Sequence, residues 1–237
     1  MASTFTGKIV VLGAGSVAQC TLPLLVKHVL PASRITIIDP RDNRDRVAAI
    51  LADGAQYIFG EVTQENLDSL LSEHLSAGDI LLDLAWNIDA NTIIGWAHDH
   101  GVMYLNTSVE EWDPYAAGSA RPVLERTLYH RHMRLREMKA GWDKPGATAI
   151  VEHGANPGMV SHLVKRALVE IGQKALADGV AADVAAVESA MAAGDYASLA
   201  HALSVKVIHI AERDTQVSDK PKQVDEFVNT WSVEGFY

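Results

Sequence analysis

Over roughly the first 150 positions, short unbroken apolar runs alternate with amphipathic stretches. Residues 8–12, 34–38, 56–59, 80–84, 103–105 and 148–151 read as strands. Residues 16–28, 44–52, 65–75, 89–100 and a long basic stretch over 121–139 carry the wider apolar spacing of helices. Strands separated by helices of this length predict βαβ units and a parallel sheet. Several of the strands are apolar throughout, as expected where helices cover both faces. The fold class is therefore α/β, with a doubly wound parallel sheet of Rossmann type. Pro23 interrupts the first helical pattern, which predicts a kink or an early break there.

After Val151 the pattern changes. Residues 154–158 are rich in turn formers and lead into a helical periodicity over 159–171, then an alanine-rich stretch through Ala193. Residues 206–211 and 225–229 read as strands, the start of an α+β domain. A strand so close to Tyr237 has no visible partner after it, so the chain is expected to be truncated.

Composition narrows the function classes. The chain has 237 residues, 48% hydrophobic and 21% charged, as expected of a folded protein with a sizeable core. A formal net charge of −10 argues against nucleic acid or an anionic membrane as partner and favours small cationic ligands, although an acidic surface also simply keeps a protein soluble. With one cysteine, Cys20, no internal disulfide can form, and a cytoplasmic location is the simplest. Cys20 lies near Leu22, Leu24 and Leu25 and is expected to fill the core. Neither a signal peptide nor a membrane span is visible. His98 and His100, like His130 and His132, are two apart and face away from each other on a helix, so no metal is expected.

The chemistry begins at Gly13-Ala14-Gly15-Ser16-Val17-Ala18, directly after the first strand and opening a helix. This is the G-x-G-x-x-G/A pattern: Gly13 permits the tight turn, Gly15 lets backbone approach a pyrophosphate, and Ala18 allows close helix–strand packing. The phosphates would sit on the free N–H groups where Ser16 and Val17 begin the helix. Asp39 ends the second strand 21 residues beyond Ala18, where an acid accepts hydrogen bonds from the adenosine ribose. It also repels a 2′-phosphate, which favours NAD over NADP. Arg41 is the countervailing residue, able to serve a 2′-phosphate, but a solvated loop charge or stacking on adenine is its preferred reading. The expected organisation is a dinucleotide-binding Rossmann domain over 1–151 and a partial substrate domain over 152–237.

Further segments are more specific: His153-Gly154-Ala155-Asn156-Pro157-Gly158-Met159-Val160-Ser161, 209–216, 227–236 with its Asn229-Thr230-Trp231-Ser232 core, and 106–112. With the glycine turn and Ile37-Ile38-Asp39-Pro40-Arg41, they resemble bacterial homospermidine synthase, a family related in fold to the saccharopine dehydrogenases. The resemblance covers nearly the whole chain except 174–194. It implies an aminobutyl transfer in which bound NAD takes a hydride from putrescine, a second putrescine attacks the imine, ammonia leaves, and the hydride is returned to give homospermidine. Spermidine also serves as donor in this family. Members continue well beyond the position of Tyr237.

The resemblance further implies that Trp231 offers its ring face to the cationic substrate, that Glu212 and Glu110 hold the ammonium ends, and that Asn156 hydrogen-bonds in the pocket. These roles suit a cationic reaction: cation–π contact is worth about 0.5–2 kcal/mol, and opposite charge dominates in a dehydrated pocket. Glu234 lies two residues after Ser232 and would face the same side of an extended segment, making it a further candidate. Each has a duller alternative: Trp231 as packing, Glu212 as an ion pair with Arg213, Asn156-Pro157-Gly158 as a turn alone. A net dehydrogenase of the saccharopine or carboxynorspermidine type, and a non-catalytic dinucleotide-binding fragment, remain the alternative functions. A homodimer is expected.

Overall fold

The computed structural model describes residues 5–113, 121–213 and 220–226. They fall into two compact units, Met1–His162 and Leu163–Tyr237. In the first, strands β1 (Ile9–Leu12), β2 (Ile35–Asp39), β3 (Gln56–Phe59), β4 (Ile80–Asp83), β5 (Met103–Asn106) and β6 (Ala149–Ile150) alternate with helices α1 (Ser16–His28), α2 (Ala48–Ala52), α3 (Leu67–His74), α4 (Ala90–His100) and α5 (Leu128–Ala140). All six strands are parallel, in the order β3-β2-β1-β4-β5-β6. This is the doubly wound order whose direction of winding reverses between β1 and β4, the place where such sheets bind ligands.

Burial explains why the strands lack alternation. Ile9 and Val11 of β1 pack with Ala18 and Leu22 of α1 and with Ile50 of α2. Val10 and Leu12 point the other way, into a cluster with Leu67 and Leu71 of α3 and Ile93 and Ala97 of α4. Successive strand residues face opposite sides, and both sides are covered, so every position of β1 is apolar. Removing one such side chain, as in Leu71→Ala, costs about 2–5 kcal/mol.

Helix α1 runs through Pro23 to His28, so of the expected kink or early break the break does not occur. An interior proline costs about 3 kcal/mol, and the buried faces of Ala18 and Leu22 offset it. Cys20 is exposed, also against expectation. The buried residues of α1 are Ala18 and Leu22, four apart; Cys20, two positions on, projects from the opposite face. The basic stretch 121–139 is helical only from Leu128, because Pro122 precedes a 3-10 turn (Val123–Arg126) and Thr127 then caps α5 by accepting from the His130 N–H.

Among its described residues the regular structure of the second unit is helical. Helices α6 (Met159–Ala177), α7 (Val184–Ala193) and α8 (Tyr196–Ala202) surround Leu168, Val187, Ala190 and Leu199. The Asp183 and Asp195 carboxylates cap α7 and α8, and Gly194 ends α7 in the left-handed conformation. No strand forms over 206–211, where a strand was expected. These residues are exposed, Val207 by 66% and Ile208 by 50%, and no neighbouring strand among the described residues takes up their backbone. Asp225 and Glu226 are likewise not in a strand, and the rest of the expected strand at 225–229 lies outside the described residues.

Candidate active site

Leu12 pairs with Ile38 on one side and Asp83 on the other, and Asp83 pairs with Asn106, so the ends of β2, β1, β4 and β5 line up along one edge. The glycine turn sits at the middle of that edge. Gly13 has φ +88°, and a Cβ there would lie 2.9 Å from the Leu84 carbonyl oxygen. Only glycine meets both conditions. Gly15 differs: its φ is −72°, it caps α1 without a side-chain hydrogen bond, and a Cβ there would meet nothing within 4 Å.

The first turn of α1 holds no acidic residue, and Gly15, Ser16 and Val17 are exposed. Free N–H groups at the positive end of a 13-residue helix, facing open space, suit phosphate. Ala18, fully buried, is the small residue that lets the helix sit close to the sheet.

Asp39 does more than its place in the motif suggests. Its Oδ2 accepts from the Ala14 N–H at 2.6 Å, and its Oδ1 accepts from the Arg41 N–H at 2.7 Å and Asn43 Nδ2 at 3.3 Å. One carboxylate therefore braces the glycine turn and the loop after β2 together. A carboxylate offers about four acceptor positions, so capacity for a ribose hydroxyl remains. Arg41 is exposed; its carbonyl accepts from the Tyr57 hydroxyl at 2.5 Å. The residues present therefore fit a dinucleotide.

Beyond the turn the edge is polar and largely buried. The Tyr104 hydroxyl donates to Asp83 Oδ2 at 2.7 Å, and Asn106 Nδ2 donates to the Tyr104 oxygen at 3.1 Å. Burial pushes the Asp83 carboxyl up to about 6; hydrogen bonds from Tyr104 and the Ala85 N–H pull it back, and the charge of Glu110 raises it. Burial, then the Asp83 charge, push the Tyr104 hydroxyl well above its ordinary range. Neither residue was singled out from the sequence. The available signals were an acid closing an otherwise apolar parallel strand, and polar groups two apart on β5, hence on one face.

Glu110, half-buried, belongs to this edge. Its Oε1 accepts from the Ser108 hydroxyl at 2.5 Å, and its carbonyl accepts from the Ala90 N–H at 3.1 Å, tying it to the start of α4. Next to it Glu111 is buried against Arg121 at 2.6 Å, Arg134 at 3.2 Å and Arg131 at 3.8 Å. Burial pushes Glu111 up, but the hydrogen bond from Arg121 and the charges of Arg131, Arg121 and Arg134 outweigh it, and the carboxyl lies below its ordinary range. The clamp fixes the backbone that carries Glu110.

Asn156 is half-buried in a loop closed by Gly154 N–H to the Pro157 carbonyl and Met159 N–H to the Gly154 carbonyl, both 2.9 Å. Gly158, with φ +124°, admits no side chain against Gly154. This loop follows β6, so Gly13, Gly15, Asp39, Glu110 and Asn156 all belong to connections leaving the same sheet edge. Glu212 is exposed in the second unit, and no ion pair joins it to Arg213 among the described residues. Trp231 and Glu234 lie outside the described residues. His98 and His100 are engaged in ring stacking, with Trp142 and Trp96 respectively. A cavity of about 360 Å³ between α1 and α2 includes Gln19, Val26 and Ile50 and none of the edge residues above.

The sequence model of the family described as saccharopine dehydrogenase NADP binding domain matches residues 9–150, the stretch that builds this sheet and its edge. The chain belongs to that family. It is also similar over nearly its whole length to homospermidine synthases: 39% identical to that of Blastochloris viridis, covering 97% of this chain and 47% of the relative, and 37% identical to that of Mesorhizobium japonicum, covering 98% and 47%. The chain thus spans about half the length of the curated relatives it matches. The solved homospermidine synthase of Legionella pneumophila in complex with NAD superposes with a TM-score of 0.75 at 33% identity, covering 98% of this chain and 46% of that one. The resemblance inferred from the motifs holds. No helix among the described residues is long and apolar enough to cross a membrane.

Proposed function

We propose that this chain supplies the NAD site and part of the amine pocket of an enzyme that forms homospermidine by aminobutyl transfer. One observation carries the reading: the edge that offers an uncapped helix N-terminus to phosphate at the end of β1 offers the half-buried Glu110 carboxylate to a cation beyond β5. Similarity to homospermidine synthases over 97% of the chain supports it. NAD, when bound, supplies a hydride acceptor that later returns the hydride. Gly15, Ser16 and Val17 bind the pyrophosphate on backbone N–H groups; Gly13, whose own N–H donates to the Ile38 carbonyl, makes the tight turn that presents them, and Ala18 lets α1 sit close to the sheet. Asp39 accepts the ribose hydroxyls and disfavours a 2′-phosphate, with Arg41 at the adenine side.

The substrates are putrescine and spermidine, both cations. Glu110 accepts from an ammonium group, and Asn156 offers an amide to the same amine. Glu212, Trp231 and Glu234 are the further candidates for the amine chemistry: Glu212 as a carboxylate for an ammonium group, Trp231 as a cation–π partner and Glu234 as an additional carboxylate. Residues 152–237 begin the substrate domain. The enzyme acts as a homodimer in the cytoplasm.

Incubation of the complete enzyme with putrescine and NAD tests this. Homospermidine with no build-up of NADH is expected, because the hydride is taken and returned at one site. NADH released in proportion to putrescine consumed would instead indicate a net dehydrogenase, the reading that the saccharopine dehydrogenase family match favours.

A further inference from the structure

Asn106 is 1% exposed and uses its backbone and both ends of its side chain. Its backbone carbonyl accepts from the His153 N–H at 2.9 Å, and its Oδ1 accepts from the Glu152 N–H at 2.8 Å. Its Nδ2 donates to the Tyr104 oxygen at 3.1 Å, and Tyr104 donates in turn to Asp83. The other Asp83 oxygen accepts from the Ala85 N–H at 3.1 Å, next to Leu84, whose carbonyl bounds the space at Gly13. A string of hydrogen bonds, buried at its centre and partly buried at both ends, therefore runs from the wall of the glycine turn to the backbone just before the Asn156 loop.

The far end of that string is strained. Glu152 has φ +51°, a conformation that a glutamate keeps only when its surroundings hold it. Asn106 holds its N–H, and His132 Nε2 sits 2.7 Å from its carboxylate. Glu152 is four residues before Asn156, so its direction sets where the loop goes. A buried network of this kind, fully paired, specifies one arrangement rather than several.

We propose that Asn106, oriented by Tyr104 and Asp83, is a positioning residue that holds the segment 152–158 in register with the glycine turn. The consequence for the amine pocket rests on the reading of Asn156 given above; the grip itself does not. Tyr104→Phe keeps the ring and removes the hydroxyl that both orients Asn106 and satisfies Asp83. Asn106→Ala removes the side-chain bonds outright.

Amide hydrogen exchange on this chain reads the grip directly. In Tyr104→Phe, exchange at Glu152 and His153 should rise about tenfold or more, while amides of β1 change by less than about twofold. NAD affinity should stay within about twofold, since Asp39 and the glycine turn are untouched. Exchange that rises equally across β1, β4 and 152–153 reports only lost stability and overturns the proposal, as does unchanged exchange at 152–153. Asn106→Ala should give the same local pattern, more strongly; should it not fold, Tyr104→Phe still decides. Where the unmodified enzyme forms homospermidine, Tyr104→Phe should lower kcat per folded molecule by about tenfold. Unchanged kcat beside faster local exchange would overturn the pocket role. An unmodified protein that forms no homospermidine removes the functional reading and leaves the exchange result standing.

Discussion

Replacing Asp39 separates two jobs that one carboxylate performs. Its Oδ2 lies 2.6 Å from the N–H of Ala14, which is fully buried, so Asp39→Ala leaves that donor without a partner and without water. An unsatisfied buried donor costs about 1–3 kcal/mol. The Arg41 N–H, also bonded to Asp39, sits in an exposed loop and can turn to solvent at little cost. Asp39→Ala should therefore lower stability by about 2 kcal/mol, most of it through Ala14. Asp39→Asn keeps an oxygen for Ala14 and should lose less.

The second job, on the proposed function, is choosing the cofactor. Two unit charges about 4 Å apart at an effective dielectric of about 20 repel by about 4 kcal/mol. Solvent at the mouth of the site reduces this, so a preference for NAD over NADP of about ten- to a hundredfold is expected, equivalent to about 1.4–2.8 kcal/mol. Both variants remove the charge, so both should narrow the preference, while only the alanine variant should lose much stability. Titration with each dinucleotide, alongside thermal melts of the three proteins, separates the jobs. Equal affinity of the unmodified protein for NAD and NADP would refute the electrostatic argument. An unchanged melting temperature in Asp39→Ala would refute the brace.

Two further predictions use the same edge, and a third concerns Trp231. Gly13→Ala should destabilise by about 1–3 kcal/mol through its φ of +88° alone, whereas Gly15→Ala should cost about 1 kcal/mol or less as a poorer cap yet weaken NAD binding; melts and titrations that fail to separate the two would deny Gly15 its place under the pyrophosphate. Asp83, raised from the ordinary 3.8 to about 6, binds its proton more tightly when folded, so its contribution is greatest below pH 3.8 and is lost as pH rises to about 6. Asp83→Asn should remove up to about 3 kcal/mol of that fall, and identical slopes of stability between pH 4 and 6 in the two proteins would exclude it. In an active enzyme Trp231→Phe should keep part of the turnover and Trp231→Leu lose about thirtyfold, a cation–π contribution of about 2 kcal/mol; equal turnover per folded molecule would leave Trp231 as packing.

How far the sequence carried depended on whether a feature was local. Helix α1 is bounded as its pattern predicts, Ser16 to His28, because a glycine turn opens it and no distant contact is needed to place it. The strands agree within a residue or so, since an apolar run between turns leaves little choice. The misreading of Cys20 came from counting leucine neighbours instead of angles around the helix. The strands expected over 206–211 failed because β structure needs a partner, which local pattern does not supply. Asp39 was expected as a ribose ligand because the motif fixes its spacing. Its bond to Ala14 joins residues 25 apart and emerges only once β1 and β2 pair. The Asp83–Tyr104–Asn106 string likewise needs β4 and β5 in register.

On the proposed function, the same edge must receive an anionic cofactor and cationic diamines. The cofactor's phosphates are anionic and the diamines cationic, so a single sign of potential along the whole edge would repel one of them. The edge keeps the two signs apart, with backbone N–H groups and no acid in the first turn of α1 at one place, and Glu110 and Asp83 at another. Asp39 is the exception on the cofactor side, and its charge is directed largely at three N–H donors of the protein itself. On that reading the phosphate end gains its affinity from dipoles, whereas the amine end relies on full charges. Salt screens full charges more than it weakens backbone hydrogen bonds. Raising ionic strength should therefore raise the KM for putrescine more than the dissociation constant for NAD. Equal sensitivity of the two to salt would mean that the edge is not divided in this way.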